Sequence, residues 1–120
     1  MNSSADIPTL TPALIGSERV RLARLARDAA LRVPGVVATD AGPSGVLITE
    51  GAQERLEGVL CVATKDGGYD VTLRLVCGLV PLLALGEAVQ AAVRRSADLV
   101  GVSVENVDVQ VAAVVEPGEM

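Results

Sequence analysis

Between Arg74 and Val111 the hydrophobic period of this chain changes twice, and those changes constrain its fold more than any other feature. Val71, Leu73, Leu75 and Cys77 alternate with Thr72, Arg74 and Val76. Such a period of two is that of a strand with one buried face. Gly78 and Pro81 break the run, and proline suits the first turn of a helix because its missing N–H would be unpaired there anyway. Leu85, Val89, Ala92, Val93, Ala97 and Val100 then recur at helical spacing, with Arg94 and Arg95 facing outward and Gly101 as the stop. Val107, Val109 and Val111 return to alternation. Val102 and Val104 have the opposite parity, so a bulge or late strand start belongs at Glu105-Asn106. If the two strands are parallel, their helical connection should be right-handed.

Upstream, residues 58–65 and Tyr69–Cys77 flank Asp66-Gly67-Gly68, a hairpin signal. Asp-Gly favours a type I′ turn, which needs positive φ at both central residues. That turn would set Cys61 opposite Thr72. Val59–Ala63 is apolar on both faces, as a central strand covered on both sides would be. Ser17 is a plausible N-cap for a first helix running to about Val33, with a core stripe of Val20, Ala23, Ala26, Ala30 and Val33. Asp28 and Arg32 stand at i, i+4 in the favourable acid-first order, and Pro34-Gly35 ends the helix. Val36–Thr39 reads as a short strand. Residues 40–57 read as a loop in which Val46-Leu47-Ile48 pairs transiently with a sheet edge.

These elements predict an α+β fold in the order α-β-β-β-α-β. One mixed sheet of four strands (36–40, 59–65, 69–77 and 107–115) carries two helices on one face. The domain spans residues 17–115. A flexible tail precedes it at 1–16, where Leu14-Ile15 docks against the next helix, and a polar tail follows at 116–120.

The chain can do little chemistry by itself. It has no histidine, so the commonest general base and zinc ligand are missing. Glu50, Glu54 and Glu57 share the long loop, either as an acid pair or metal site or as solvated side chains. The register keeps Cys61 and Cys77 too far apart for a disulfide, so both should be free, buried thiols. No catalytic residue, cofactor or metal is expected. A single tyrosine, Tyr69, with no Phe or Trp, leaves Val, Leu and Ala to build the core of a chain with mean hydropathy +0.46. The amino-terminal residues lack a basic region followed by an apolar one, and no stretch reaches the about 20 apolar residues a spanning helix needs. A cytoplasmic location is the expectation.

Net charge is −5, unevenly placed. Arg19, Arg21, Arg24, Arg27 and Arg32 share the first helix with Glu18 and Asp28, so that segment carries +3 and the remainder −8. The five arginines are candidate partner-binding residues, for head-to-tail self-association or for an acidic partner. The plain alternative is a solvated helix face. A nucleic-acid-associated module using this helix is the second functional reading. The acidic chain and the lack of aromatic stacking platforms argue against it.

The order of short motifs resembles the bacterial alkaline shock protein family, also called the envelope stress response family. Leu25-Ala26, Ala29-Ala30 and Val33-Pro34-Gly35-Val36 are similar to its Ile-Ala, Ala-Ala and Val-Pro-Gly-Val signature. Gly58-Val59, Leu75-Val76-Cys77-Gly78, Pro81, Val89-Gln90, Gly101 and Val107-Asp108-Val109 follow in the family's order. Cys77-Gly78 stands where the family has Tyr-Gly, and Leu99-Val100-Gly101 where it has Met-Thr-Gly. The resemblance implies a non-enzymatic stress-response scaffold that self-associates into homo-oligomers and is recruited near the membrane by an anchored protein partner.

The residues themselves suggest where self-association would occur. Leu60 and Val62 have the opposite parity to Val59, Cys61 and Ala63, so the sheet face away from the helices is also apolar at its centre, with Val76 and Ala112 adding to it. A second copy, or the 40–57 loop, should cover that face.

Overall fold

A computed structural model describes residues 12–116, with side chains from Glu18 onward. The element order is α1 (Pro12–Leu31), β1 (Val36–Thr39), β2 (Ile48–Glu50), β3 (Arg55–Glu57), β4 (Val59–Ala63), β5 (Tyr69–Cys77), α2 (Leu82–Leu99) and β6 (Val104–Val114). The expected α+β architecture is present: two helices and a four-stranded main sheet, joined by a second, two-stranded sheet of β2 and β3.

The main sheet is organised around β5. Its buried residues Tyr69, Val71, Leu73, Leu75 and Cys77 face the helices, while Asp70, Thr72, Arg74 and Val76 on the other face stay half-buried. The central strand is therefore β5 and not Val59–Ala63, whose Val62 is 52% exposed. The reason is pairing: β5 has partners on both edges. Along one it runs parallel to β6, as the strand–helix–strand pattern requires. Along the other it meets β4 from Tyr69 to Leu73 and β1 from Leu75 to Cys77, both antiparallel.

The change of partner happens at Arg74, whose N–H donates to the Gly58 carbonyl (2.9 Å) and whose carbonyl accepts from the Asp40 N–H (2.9 Å). Here the ends of two half-strands abut. A Cβ on Gly58 would fall 2.5 Å from Thr39 Cβ and 2.6 Å from the Asp40 nitrogen, and Gly58 has φ +85°. Only glycine satisfies both conditions.

The expected parity switch in β6 is a bulge at Glu105, since Tyr69 pairs with Val104 and Asp70 with Asn106. A second bulge lies at Ala112, between the pairs Leu75–Val111 and Val76–Ala113. Helix α2 buries Leu85, Val89, Val93 and Ala97 as its spacing predicts, but Val100 is 58% exposed. The helix ends in paired bonds, Gly101 N–H to the Asp98 carbonyl and Val102 N–H to the Ala97 carbonyl. That is the Schellman pattern, and it turns the chain inward at Val102 instead of Val100.

Five local expectations are corrected. Helix α1 begins at Pro12, so Ser17 lies inside it rather than capping it, and residues 12–16 are helical rather than tail. Proline at a first helical position explains the earlier start. The rest of the expected tail, 1–11, and residues 117–120 lie outside the described residues, as does any docking of Leu14-Ile15. Leu22 and Ala29 join the core beside Val20, Ala23, Ala26 and Ala30.

The hairpin turn is not type I′. Gly67 has φ +89°, but no described residue other than glycine has positive φ, so Asp66 does not. The loop is three residues, Lys65-Asp66-Gly67, closed by Thr64 N–H to the Gly68 carbonyl and Gly67 N–H to the Thr64 carbonyl. This is the type I turn with a glycine bulge. Thr64 Oγ1 favours it by accepting from the Gly68 N–H (3.2 Å) while donating to Glu105 (2.6 Å). The longer loop shifts the register by one, so Cys61 lies opposite Val71 rather than Thr72.

The 40–57 segment is not simply a loop. Ile48–Glu50 pairs antiparallel with Arg55–Glu57 rather than with the main sheet. Thr49, the one fully polar residue buried among those described, donates its hydroxyl to the Val59 carbonyl (2.9 Å), tying this hairpin to β4.

Candidate functional site: the two sides of the arginine helix

The helices run antiparallel across the sheet. Ala29 and Val33 of α1 lie beside Ala88 and Ala92 of α2, and the earlier turns of α1 approach Val100 and Val102. Alanines and a serine at a spacing of four (Ala88, Ala92, Ser96) leave a shallow trough there instead of interlocking side chains.

The five arginines of α1 do not act as one face. Arg19 reaches the Glu50 carbonyl (3.4 Å), Arg24 makes a two-point ion pair with Glu54, and Arg27 donates to Thr39 Oγ1 (3.3 Å). These three hold α1 to the small hairpin and to β1. The Arg24 guanidinium is held above its ordinary pKa, first by its hydrogen bonds with Glu54 and then by that carboxylate's charge. Glu50 and Glu57 are taken by Arg55, each at 3.3 Å. The loop carboxylates thus serve ion pairs, and no group of three metal-ligating side chains forms among the described residues.

Arg21 and Arg32 point elsewhere. They line a hollow of about 450 Å³ with Glu18, Leu25, Asp28 and Val100, and Arg24, though paired with Glu54, borders it as well. A second hollow of about 280 Å³ shares Arg32 and adds Val33, Arg95 and the small residues of α2. Together they form one groove between the helices. The side chains of Arg21, Arg32 and Arg95 have no ion pair or hydrogen bond among the described residues. The expected Asp28–Arg32 ion pair is absent from those formed. Arg95, Leu25 and Val100 were not among the expected site residues. The spacing of Ala88, Ala92 and Ser96 is the sequence signal that marks a helix face open to a neighbour.

On α2, Arg94 donates to the Val104 and Glu105 carbonyls (3.1 Å each) and Gln90 to the Val107 carbonyl (3.0 Å). They cover the first half of the β6 edge. Exposed apolar side chains gather at the other end of the molecule: Leu79, Leu82 and Leu83 before and within the first turn of α2, with Val111 and Val114 of β6. The sheet face away from the helices is less apolar than expected. Leu60 and Val62 are paired with Thr72 and Asp70, and Asn106, Asp108 and Arg74 share that face. Arg74 is bound there by Asp40 at 3.1 Å.

Both cysteines are free and buried. Burial pushes the Cys61 thiol up to about 12, slightly opposed by the charge of Arg19, and pushes Cys77 up as well. A thiol so shifted is protonated and inert at neutral pH. Tyr69 is raised by burial and by its hydrogen bond to Glu18 (3.0 Å), through which it ties the start of β5 to α1.

Comparison with protein-family models, with curated proteins and with solved structures found no match. No helix of the described residues is long and apolar enough to cross a membrane.

Proposed function

We propose that this protein is a non-enzymatic interaction module that self-associates and is brought to the membrane by a protein partner, as its motif resemblance to the alkaline shock family implies. The observation that carries the reading is the apolar cluster at the head of α2. Leu79 is 66% and Leu83 80% exposed, beside Val111 and Val114 on the uncapped half of β6. Apolar groups gathered in this way mark contact surfaces. The cluster supports self-association through that end more than through the uncovered sheet face, where charged and polar side chains separate the apolar ones.

The nucleic-acid reading loses support because Arg19, Arg24 and Arg27 are already bound within the chain. Sedimentation over a range of concentrations tests the proposal. Oligomers should form and should be dissolved by L83E or L79E, while V62E leaves them intact. A strict monomer at high concentration contradicts self-association, and oligomers that survive L83E and L79E but not V62E return the contact to the sheet face.

A further inference from the structure

The groove between α1 and α2 has three arginines whose side chains have no partner among the described residues, apolar lining from Leu22, Leu25, Val33 and Val100, and a length that follows α1 from Glu18 to Leu31 and reaches Pro34 just beyond it. Over the helical part, Glu18 to Leu31, 1.5 Å per residue gives roughly 20 Å, between three and four turns of a helix. Val100 is 58% exposed at one end, next to Leu99 at 82%, while Leu25 and Val33 are half-buried along the wall. We infer that this groove binds an acidic amphipathic helix from a partner protein, with Arg21, Arg32 and Arg95 pairing its carboxylates and Leu25, Val33 and Val100 taking its apolar face. The inference rests on the reading of the chain as an interaction module and gives its partner a chemistry.

Three features favour this occupant. The arginines stand on both walls, two from α1 and one from α2, so that a rod lying between them meets positive charge on either side. Between the charges the groove offers the apolar side chains of Leu25, Val33, Ala92 and Val100, contacts for a helix read through i, i+3/i+4 and i+7 anchors. Glu18 and Asp28 also line the groove, and the chain as a whole is acidic. A continuous phosphate backbone would meet those carboxylates, whereas a peptide can place its acids selectively against the arginines.

The test titrates the full chain with four probes. They are a peptide of about 18 residues with Leu at helical anchor spacing and Glu on its flanks, the same peptide with Lys for Glu, an oligothymidylate of about 20 nucleotides, and phosphatidylglycerol vesicles. The Glu peptide should bind one to one. The triple variant R21E/R32E/R95E should weaken it by about tenfold or more, as should raised salt. The milder R32Q/R95Q, with an unchanged unfolding midpoint, should show a smaller loss in the same direction. Failure of the Glu peptide to bind, or binding indifferent to these arginines, overturns the inference. Preferential binding of the oligonucleotide or vesicles with the same arginine dependence overturns it too and reassigns the groove to phosphate. In each case oligomers sensitive to L83E would leave the interaction module standing, so the two failures are distinguishable.

Discussion

Two sides of one helix use the same residue type in opposite ways. On one side of α1, Arg19, Arg24 and Arg27 are bound to Glu50, Glu54 and Thr39, and so fasten the small β2–β3 hairpin and β1 beneath the helix. On the other side Arg21 and Arg32, joined by Arg95 of α2, have no partner among the described residues and line a groove. Composition does not separate the two sets. The separation depends on where the hairpin lands, because it delivers the carboxylate and carbonyl that occupy one side only. A basic helix in an acidic protein is thus partly an internal strap and partly a contact surface.

The fastened side is the one that substitutions should damage, and the largest effect is expected at its backbone hinge. G58A would force a left-handed φ on a residue with a Cβ and drive that Cβ into Thr39 and the Asp40 backbone. A loss of more than about 2 kcal/mol is expected in chemical denaturation, combining backbone strain with displacement of abutting strands. Next is T49V, which keeps the side-chain shape but removes the donor to the buried Val59 carbonyl. It should cost about 1–3 kcal/mol, the penalty of an acceptor left unsatisfied. An unchanged denaturation midpoint for T49V would mean that the hairpin is not fastened to β4.

A third effect is confined to alkaline pH. Cys61 titrates near 12 when folded but at an ordinary thiol value, near 9.0, when unfolded. Between those values the unfolded chain loses the proton first, so stability should be whole below about pH 9 and fall as pH rises toward 12. The slope approaches about 1.4 kcal/mol per pH unit for one thiol. Tyr69, also raised, steepens it at the upper end. Cys77, raised by burial as well, adds to the fall from the same pH, so C61A should make the slope above about pH 9 shallower without abolishing it, as denaturation midpoints measured along a pH series would show. The smallest effect belongs to the groove: R21Q, R32Q and R95Q should each leave stability within about 0.5 kcal/mol, as exposed side chains without partners do.

Periodicity made the main architecture legible. The alternation in β5, the stripe of Leu85, Val89, Val93 and Ala97, and the parity switch at Glu105 each report a local pattern imposed by one buried face. What escaped was set by contacts between segments. Strands β2 and β3 have three residues each, too short to show a period, and are recognisable only through their pairing and the buried Thr49 hydroxyl. The turn at Asp66-Gly67 depended on Thr64 and on Glu105 from a distant strand. For the site, the arginines of α1 were visible as a charged helix, but their division was not. Arg95 entered only once α2 was laid against α1, although the small residues at 88, 92 and 96 already marked the face that would meet a neighbour.

The division of the helix is tested most directly by two double variants with the same change in charge. R24Q/R27Q removes two straps, and R21Q/R32Q removes two groove arginines. Equilibrium denaturation of both, side by side with the unmodified chain, should show a clear loss of stability for R24Q/R27Q and none for R21Q/R32Q. Equal losses, or a greater loss for R21Q/R32Q, would contradict the account, because the arginines would then act as a single face.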